Sequence, residues 1–186
     1  KRDLRILDNE GLQNAIESNT PLLLLYVFEP SLEKNSHYHQ RHWNFVKQSI
    51  ASLNQELNPY KTKIHCVRGE LTVVLDDLNN TWHIKTLFSM QETGLNCTFN
   101  RDKKVKKWCD EQNTHWVEHI NNGVFRGLNN RAHWRDYWTN YMMQPIKPFT
   151  ASEKDFVAVK DKLLKEIPPQ PVKLEGIQEG GTKKGI

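Results

Sequence analysis

The chain has 186 residues, of which 37% are hydrophobic, and its 26 Lys+Arg against 22 Asp+Glu give a formal net charge of +4. That length suffices for one sizeable core with an appended tail, and so even a balance of charge describes a mixed surface, from which nucleic-acid binding does not follow. Cys66, Cys97 and Cys109 are odd in number, widely spaced and free of a Cys-x-x-Cys pair, which argues against a disulfide framework or a zinc knuckle. No apolar run approaches the roughly 18 residues of a membrane span, and no charged-then-apolar leader opens the sequence, so a reducing, cytoplasmic setting without a membrane is expected.

The first nine residues, Lys1 to Asn9, read as a loop at the end of a strand-loop-helix unit, with the strand expected before Lys1. Asp8 or Asn9 supplies an N-cap oxygen to a helix whose apolar positions are Leu12, Ala15 and Ile16. Residues 22 to 28 form a continuous apolar run closed by Glu29-Pro30, the pattern of a strand buried on both faces of a parallel sheet. The next helix carries Trp43, Val46, Ile50, Leu53 and Leu57 at steps of three and four, one apolar stripe, and ends at Asn58-Pro59, where the residue before proline leaves the helical region.

The alternation then repeats. A short strand is expected over residues 64–67, a helix with Leu71, Val74, Leu75 and Leu78 on one face, and a strand over residues 84–88. A helix follows with Val105, Trp108 and Cys109 at i, i+3 and i+4, and a last strand over residues 115–120. With the strand expected before Lys1, five strands interleave with four helices. The fold class is therefore α/β: a Rossmann-like, doubly wound, five-stranded parallel sheet with helices on both faces, because right-handed crossovers place successive helices there.

After Asn121-Asn122-Gly123 the rhythm changes. Trp134, Trp138, Tyr141 and Met142 suggest a helix laying aromatics against the domain, and Phe156, Val159 and Leu163 suggest another over residues 152–166. Pro168 to Gly181 has linker composition and is expected to be extended or disordered. The division is a domain over residues 1–145 and a linker over 146–186.

A doubly wound sheet binds ligands beyond the carboxyl ends of its strands. That rule selects four loops: Arg2 to Asp8, Phe28 to Arg41, Gly69 to Leu71, and Gln91 to Arg101. Neither a Gly-x-Gly-x-x-Gly turn nor a Gly-x4-Gly-Lys-Ser/Thr loop occurs, which disfavours a standard NAD enzyme or a P-loop ATPase. His37, His39 and His42 lack the cysteine or carboxylates that would complete a metal set, and a polar loop feeding a helix N-terminus is the expected reading. The charge run Asp102 to Lys107 reads as a solvated helix face. The six tryptophans read as packing, and no catalytic nucleophile is assigned.

The opening Arg2-Asp3-Leu4-Arg5, followed by Asp8-Asn9, closely resembles a signature near the start of the photolyase/cryptochrome flavoproteins. Further anchors are Leu25-Tyr26-Val27-Phe28, Arg41 with Phe45 and Leu53, and Val67-Arg68-Gly69-Glu70. Others are Glu92-Thr93, Arg101-Asp102, and Ile177 to Gly181, similar to the linker before the family's helical domain. The resemblance implies the N-terminal α/β domain of a DNA photolyase, a lyase that uses blue light and FAD to repair ultraviolet-induced pyrimidine photoproducts in DNA. FAD and damaged DNA would be held by a C-terminal helical domain, the partner of this one, so no catalytic residue is expected here. The domain's own part is to house an antenna pigment, with Phe28, Glu29, His37, Arg41, Glu92 and Arg101 as candidate lining. Cys97-Thr98 stands where folate-binding members carry Asn-Glu, which disfavours folate and leaves a deazaflavin or another flavin-like pigment. The alternatives are a blue-light-sensing cryptochrome without repair activity and, less favoured, an unrelated nucleotide-binding α/β domain.

Overall fold

A computed structural model describes residues 3–159, 164–173 and 175–181. Helix α1 (Glu10–Glu17) starts where Asn9 caps it, its side-chain oxygen accepting from the Leu12 N–H at 3.0 Å. Asp8, at φ 54°, turns the chain into that cap. Strand β1 (Leu25–Phe28) leads through a short helix α2 (Pro30–Glu33) to the long α3 (Gln40–Leu57). At the α3 N-terminus His39 Nδ1 accepts from Arg41 N–H at 3.3 Å, while the His39 N–H donates to His42 Nδ1 at 3.0 Å. This is a capping box built of imidazoles, the polar helix-start expected of these histidines.

Strand β2 (His65–Arg68), α4 (Leu71–Trp82), β3 (Thr86–Met90), α5 (Asn96–Glu111) and β4 (His115–His119) follow in the expected order. β3 begins two residues later than expected, because the Ile84 N–H is taken by the Asn79 side chain at 2.7 Å as α4 ends. β1 pairs with β2 in parallel, Leu25 opposite His65 through Phe28 opposite Arg68. β3 pairs with β4 in parallel, Thr86 opposite His115 through Met90 opposite His119. Among the described residues no ladder joins β1 to β3, so the expected five-stranded sheet is present as two separate parallel pairs.

The side-chain alternation of the strands sorts the helices onto two faces. Phe28 and Cys66 pack with Trp43 and Ile50 of α3. On the opposite face Val67 packs with Val74 and Leu78 of α4, joined by Leu25 and Val27. Leu75 of α4 meets Val105, Trp108 and Cys109 of α5, over Leu87 and Trp116. His119, which points away from the Trp116 face, lies against Gly11 of α1; a Cβ added there would stand 3.1 Å from the imidazole. One face thus carries α1 and α3, the other α4 and α5.

The C-terminal part meets expectation only in part. Helix α6 (Trp134–Met142) forms and lays part of its aromatics on the domain: Tyr137 and Tyr141 meet Phe125 with ring centroids 5.8 and 6.2 Å apart, and Trp138 lies against Gly123. Trp134 and Trp138 stack on each other with centroids 6.4 Å apart and both stay exposed, while the Tyr141 hydroxyl donates to the Ile120 carbonyl at 2.8 Å. The helix expected over 152–166 is replaced by a 3-10 turn (Glu153–Asp155) and extended chain, with 160–163 outside the described residues. Here Phe156 is buried beside Leu22, whose N–H donates to the Asp155 carbonyl at 2.8 Å and whose carbonyl accepts from Val157 at 2.9 Å. The described stretches beyond run extended and are tied down: Ile167 N–H to Cys66 carbonyl at 2.8 Å, Val172 N–H to Asn44 Oδ1 at 2.7 Å, and Gly180 N–H to Gln48 Oε1 at 2.7 Å.

Candidate functional site at the carboxyl edge

The loops that leave β1 and β3 meet the start of α5 at the carboxyl ends of the strands. Glu29, directly after β1, is 3% exposed. Its Oε1 accepts from Arg101 Nη1 at 3.0 Å, and its Oε2 accepts from the Leu71 N–H at the start of α4 at 3.3 Å. Arg101 comes from the second turn of α5. Its Nε and Nη2 donate to Asp102 Oδ1 at 3.1 and 2.9 Å, and Nη2 lies 3.6 Å from Glu92 Oε2. Three carboxylates therefore surround one guanidinium in a largely buried place. Burial pushes the Glu29 carboxyl above the usual carboxylate range, against the pull of Arg101. Burial works to lower Arg101, but the charges of Glu29 and Asp102 overcome it and hold the guanidinium firmly charged.

This cluster borders a cavity of about 970 Å³ that runs between β1 and β3. At its carboxyl end the lining includes Tyr38, His42 and Trp43 as well as Glu29, Glu92 and Arg101. The rings of Tyr38 and Trp43 lie 5.0 Å apart, and among the described residues the buried Trp43 Nε1 has no hydrogen-bond partner. That pairing of an aromatic wall, an unpaired donor and fixed charges suits a flat heteroaromatic molecule with polar edges.

Of the six residues expected at the site, Glu29, Glu92 and Arg101 come together as one ion cluster. Phe28 does not line the cavity; it is 1% exposed in the core, its ring 6.3 Å from that of Trp43. His37 and Arg41 are exposed, and their sequence neighbours Tyr38 and His42 line the cavity in their place. The His39 capping box sets the phase of α3 and so decides which side of the loop turns inward. Asp102, read as part of a solvated charge run, is 5% exposed. The signal for it was its place beside Arg101 at the buried start of a helix that otherwise shows lysines to solvent.

A parallel α/β domain with a charged ligand edge describes many proteins; comparison narrows the class. The family model for DNA photolyase matches residues 1–150, and the chain belongs to that family. Cryptochrome-2 of Gallus gallus is 30% identical over 87 residues, which is 47% of this chain and 15% of the relative. A cryptochrome of Synechocystis has the same fold at a TM-score of 0.69 and 16% identity, over 91% of this chain and 38% of that one. An archaeal photolyase of Sulfolobus tokodaii, solved with two FAD molecules, matches at a TM-score of 0.64 and 19% identity, over 82% and 36% of the two chains. The chain spans only 15–22% of the length of the curated relatives it matches. Among the described residues no helix is long and apolar enough to cross a membrane.

Proposed function

We propose that this chain is the N-terminal domain of a deoxyribodipyrimidine photolyase, which repairs pyrimidine photoproducts in DNA with light and FAD. The match of the photolyase family model over residues 1–150 carries this reading. The five-stranded sheet belongs to the same reading, with its remaining strand in the gap between β1 and β3. FAD and the lesion fall to a C-terminal helical domain of the full-length protein, and no residue described here is given to either.

The domain's contribution is an antenna site at the carboxyl edge. Glu29, Glu92 and Arg101 form its charged floor, Phe28 braces Trp43 from the core, and His37 and Arg41 stand outside it on the rim side of α3. A pigment bound there would absorb light and pass the excitation to the flavin. The protein's own work is to fix that pigment's distance and orientation, for which a rigid helix-braced edge suffices. The Sulfolobus tokodaii photolyase, whose two FAD molecules imply a novel light-harvesting cofactor, supports a flavin-like pigment here rather than folate.

A second reading is a cryptochrome that senses blue light without repair, favoured by the cryptochromes among the relatives. One assay separates the two. The full-length protein, reduced and illuminated at blue wavelengths, is expected to reverse pyrimidine dimers or pyrimidine(6-4)pyrimidone products in an oligonucleotide. No reversal of either lesion would overturn the repair reading and leave the sensor. The antenna is read separately, as an excitation band for repair or flavin reduction beyond the bands of FAD itself.

A further inference from the structure

Helix α6 is fixed from one side and bare on the other. Behind it, the Tyr141 hydroxyl donates to the Ile120 carbonyl at 2.8 Å, and the Phe125 ring meets Tyr137 and Tyr141 at 5.8 and 6.2 Å. Gly123 stands against the pyrrole edge of Trp138, so close that an added Cβ would lie 2.7 Å from its Cδ1. At about 3.6 residues per turn the other stripe of α6 is Trp134, Trp138 and Met142, with Arg135 beside it. The two indoles are 45% and 39% exposed, with 26° between their planes and 6.4 Å between their centroids. A helix held from behind thus presents two large, nearly parallel rings to solvent.

The charge around these rings has one sign. Residues 123–147 carry Arg126, Arg131, Arg135 and Lys147 against a single acid, Asp136. Glu118 takes Arg126 at 2.8 Å, and His133 stands 3.5 Å from Asp136. Arg131 and Arg135, on either side of Trp134, have no carboxylate partner among the described residues. The lysines of α5 differ in this respect, since Lys106 and Lys107 face Asp110 and Glu111 one turn on. The α5 face is neutralised within its own helix, and the α6 face is not.

Exposed rings beside unpaired cations offer stacking and phosphate contact together, the two interactions that hold a nucleic-acid single strand. A duplex keeps its base faces within its own stack and cannot use the rings. Two other occupants fit less well. A helix lying in a lipid surface sets its cations opposite its apolar stripe, where α6 has Asp136 and Asn140. A second copy related by a two-fold axis would bring the same patch against itself, unpaired cations facing unpaired cations. We infer that α6 is a platform for lesion-free single-stranded DNA, its bases stacking on Trp134 and Trp138 and its phosphates meeting Arg131 and Arg135. The choice of DNA over RNA rests on the photolyase reading above, and the platform is separate from the lesion, which that reading gives to another domain.

The test uses the full-length protein and a lesion-free oligothymidylate in which one thymine is replaced by 5-iodouracil. Irradiation is expected to crosslink that base to Trp134 or Trp138, located by peptide mass mapping. Trp134→Ala is expected to weaken binding of the oligothymidylate about 5-fold or more, and Arg135→Gln to reduce the slope of log affinity against log salt by about 0.7. Neither variant is expected to change the urea midpoint or the reversal of a pyrimidine dimer in a duplex. Unchanged binding in both variants, with crosslinks elsewhere, would overturn the platform. So would loss, in Trp134→Ala, of binding to phosphatidylserine vesicles or of a concentration-dependent dimer in place of oligonucleotide binding. Oligouridylate bound as tightly, with the same losses in the variants, would overturn the choice of DNA. A protein that holds oligothymidylate through α6 and reverses no dimer would overturn the repair reading and leave the platform standing.

Discussion

Arg101 Nη1 lies 3.0 Å from Glu29 Oε1, a bond that ties the second turn of α5 to the residue ending β1. Removing the guanidinium by Arg101→Ala leaves Glu29 and Asp102 buried without their counter-charge, so a loss of about 3–5 kcal/mol is expected. Glu29→Gln keeps the packing and a hydrogen-bond acceptor, and removes one of three carboxylates, so it should cost much less. Urea unfolding of both variants measures the difference. Equal losses would show that the cluster's charge balance does not govern its stability.

His65 Nδ1 and Glu166 Oε1 stand 2.6 Å apart, with Lys63 Nζ 2.7 Å from the other oxygen, where the antiparallel bridge between Val67 and Glu166 holds the tail on β2. Partial burial would raise the Glu166 carboxyl, but hydrogen bonds from Lys63 and His65 outweigh it and hold the group below its usual range. Its contribution is therefore present above the unfolded value and is lost as pH falls through the lowered folded value. Acidification should release this bridge, read as weaker protection of the Ile167 amide relative to its intrinsic exchange rate at each pH, and Glu166→Gln should remove that pH dependence.

Cys66 is 2% exposed, and burial pushes its thiol from 9.0 up to about 11. Between these values the unfolded chain releases the proton and the folded chain keeps it, so stability falls as pH rises through that window. The full loss is about 3 kcal/mol. The buried Tyr26 hydroxyl is raised as well, so the measurement that isolates Cys66 is the difference in urea midpoint between the parent and Cys66→Ala from pH 8 to 11. Parallel curves would remove the thiol from the alkaline response.

Gly123 has φ +64°, and a Cβ added there would stand 2.7 Å from Trp138 Cδ1. Gly123→Ala is thus disfavoured by backbone conformation, at about 1–2 kcal/mol, and by collision with a ring on α6. Looser docking of α6 is the expected outcome, seen as faster tryptic cleavage at Arg135. Unchanged cleavage would mean that the Tyr141 hydroxyl and the Phe125 ring contacts suffice to hold α6.

The strands and helices that bear one clear apolar pattern were legible from the residues. The stripe from Trp43 to Leu57 is α3, and the Val105, Trp108 and Cys109 triplet is the buried side of α5. The run at 22–28 reads as a fully covered strand, yet β1 is mostly half-buried, because one of its edges borders the cavity between β1 and β3. Glu29, Glu92 and Arg101 could be placed together by topology alone, since each follows a strand end or opens the next helix. The exchange of His37 and Arg41 for Tyr38 and His42 could not, because it depends on a one-residue phase set by a cap. The extended Phe156 segment and the anchoring of the tail were illegible for a different reason: they are fixed by distant partners, Leu22, Asn44 and Gln48, that no local pattern names.

The division of the strands into two pairs has a mechanical consequence. With no ladder from β1 to β3 among the described residues, the two halves meet beneath the strands through apolar packing, Leu75 of α4 on Val105 of α5. Such a contact resists separation but permits sliding, because dispersion is non-directional. Directional bonds remove that freedom at both ends: Glu29–Arg101 at the carboxyl edge, and between α4 and α5 the Trp108 Nε1 bond to Asp76 Oδ1 and the Asn79 Nδ2 bond to Gln112 Oε1. Side chains thus pin the two halves at both ends where no ladder does, and the carboxyl edge, where a ligand would be held, keeps its geometry.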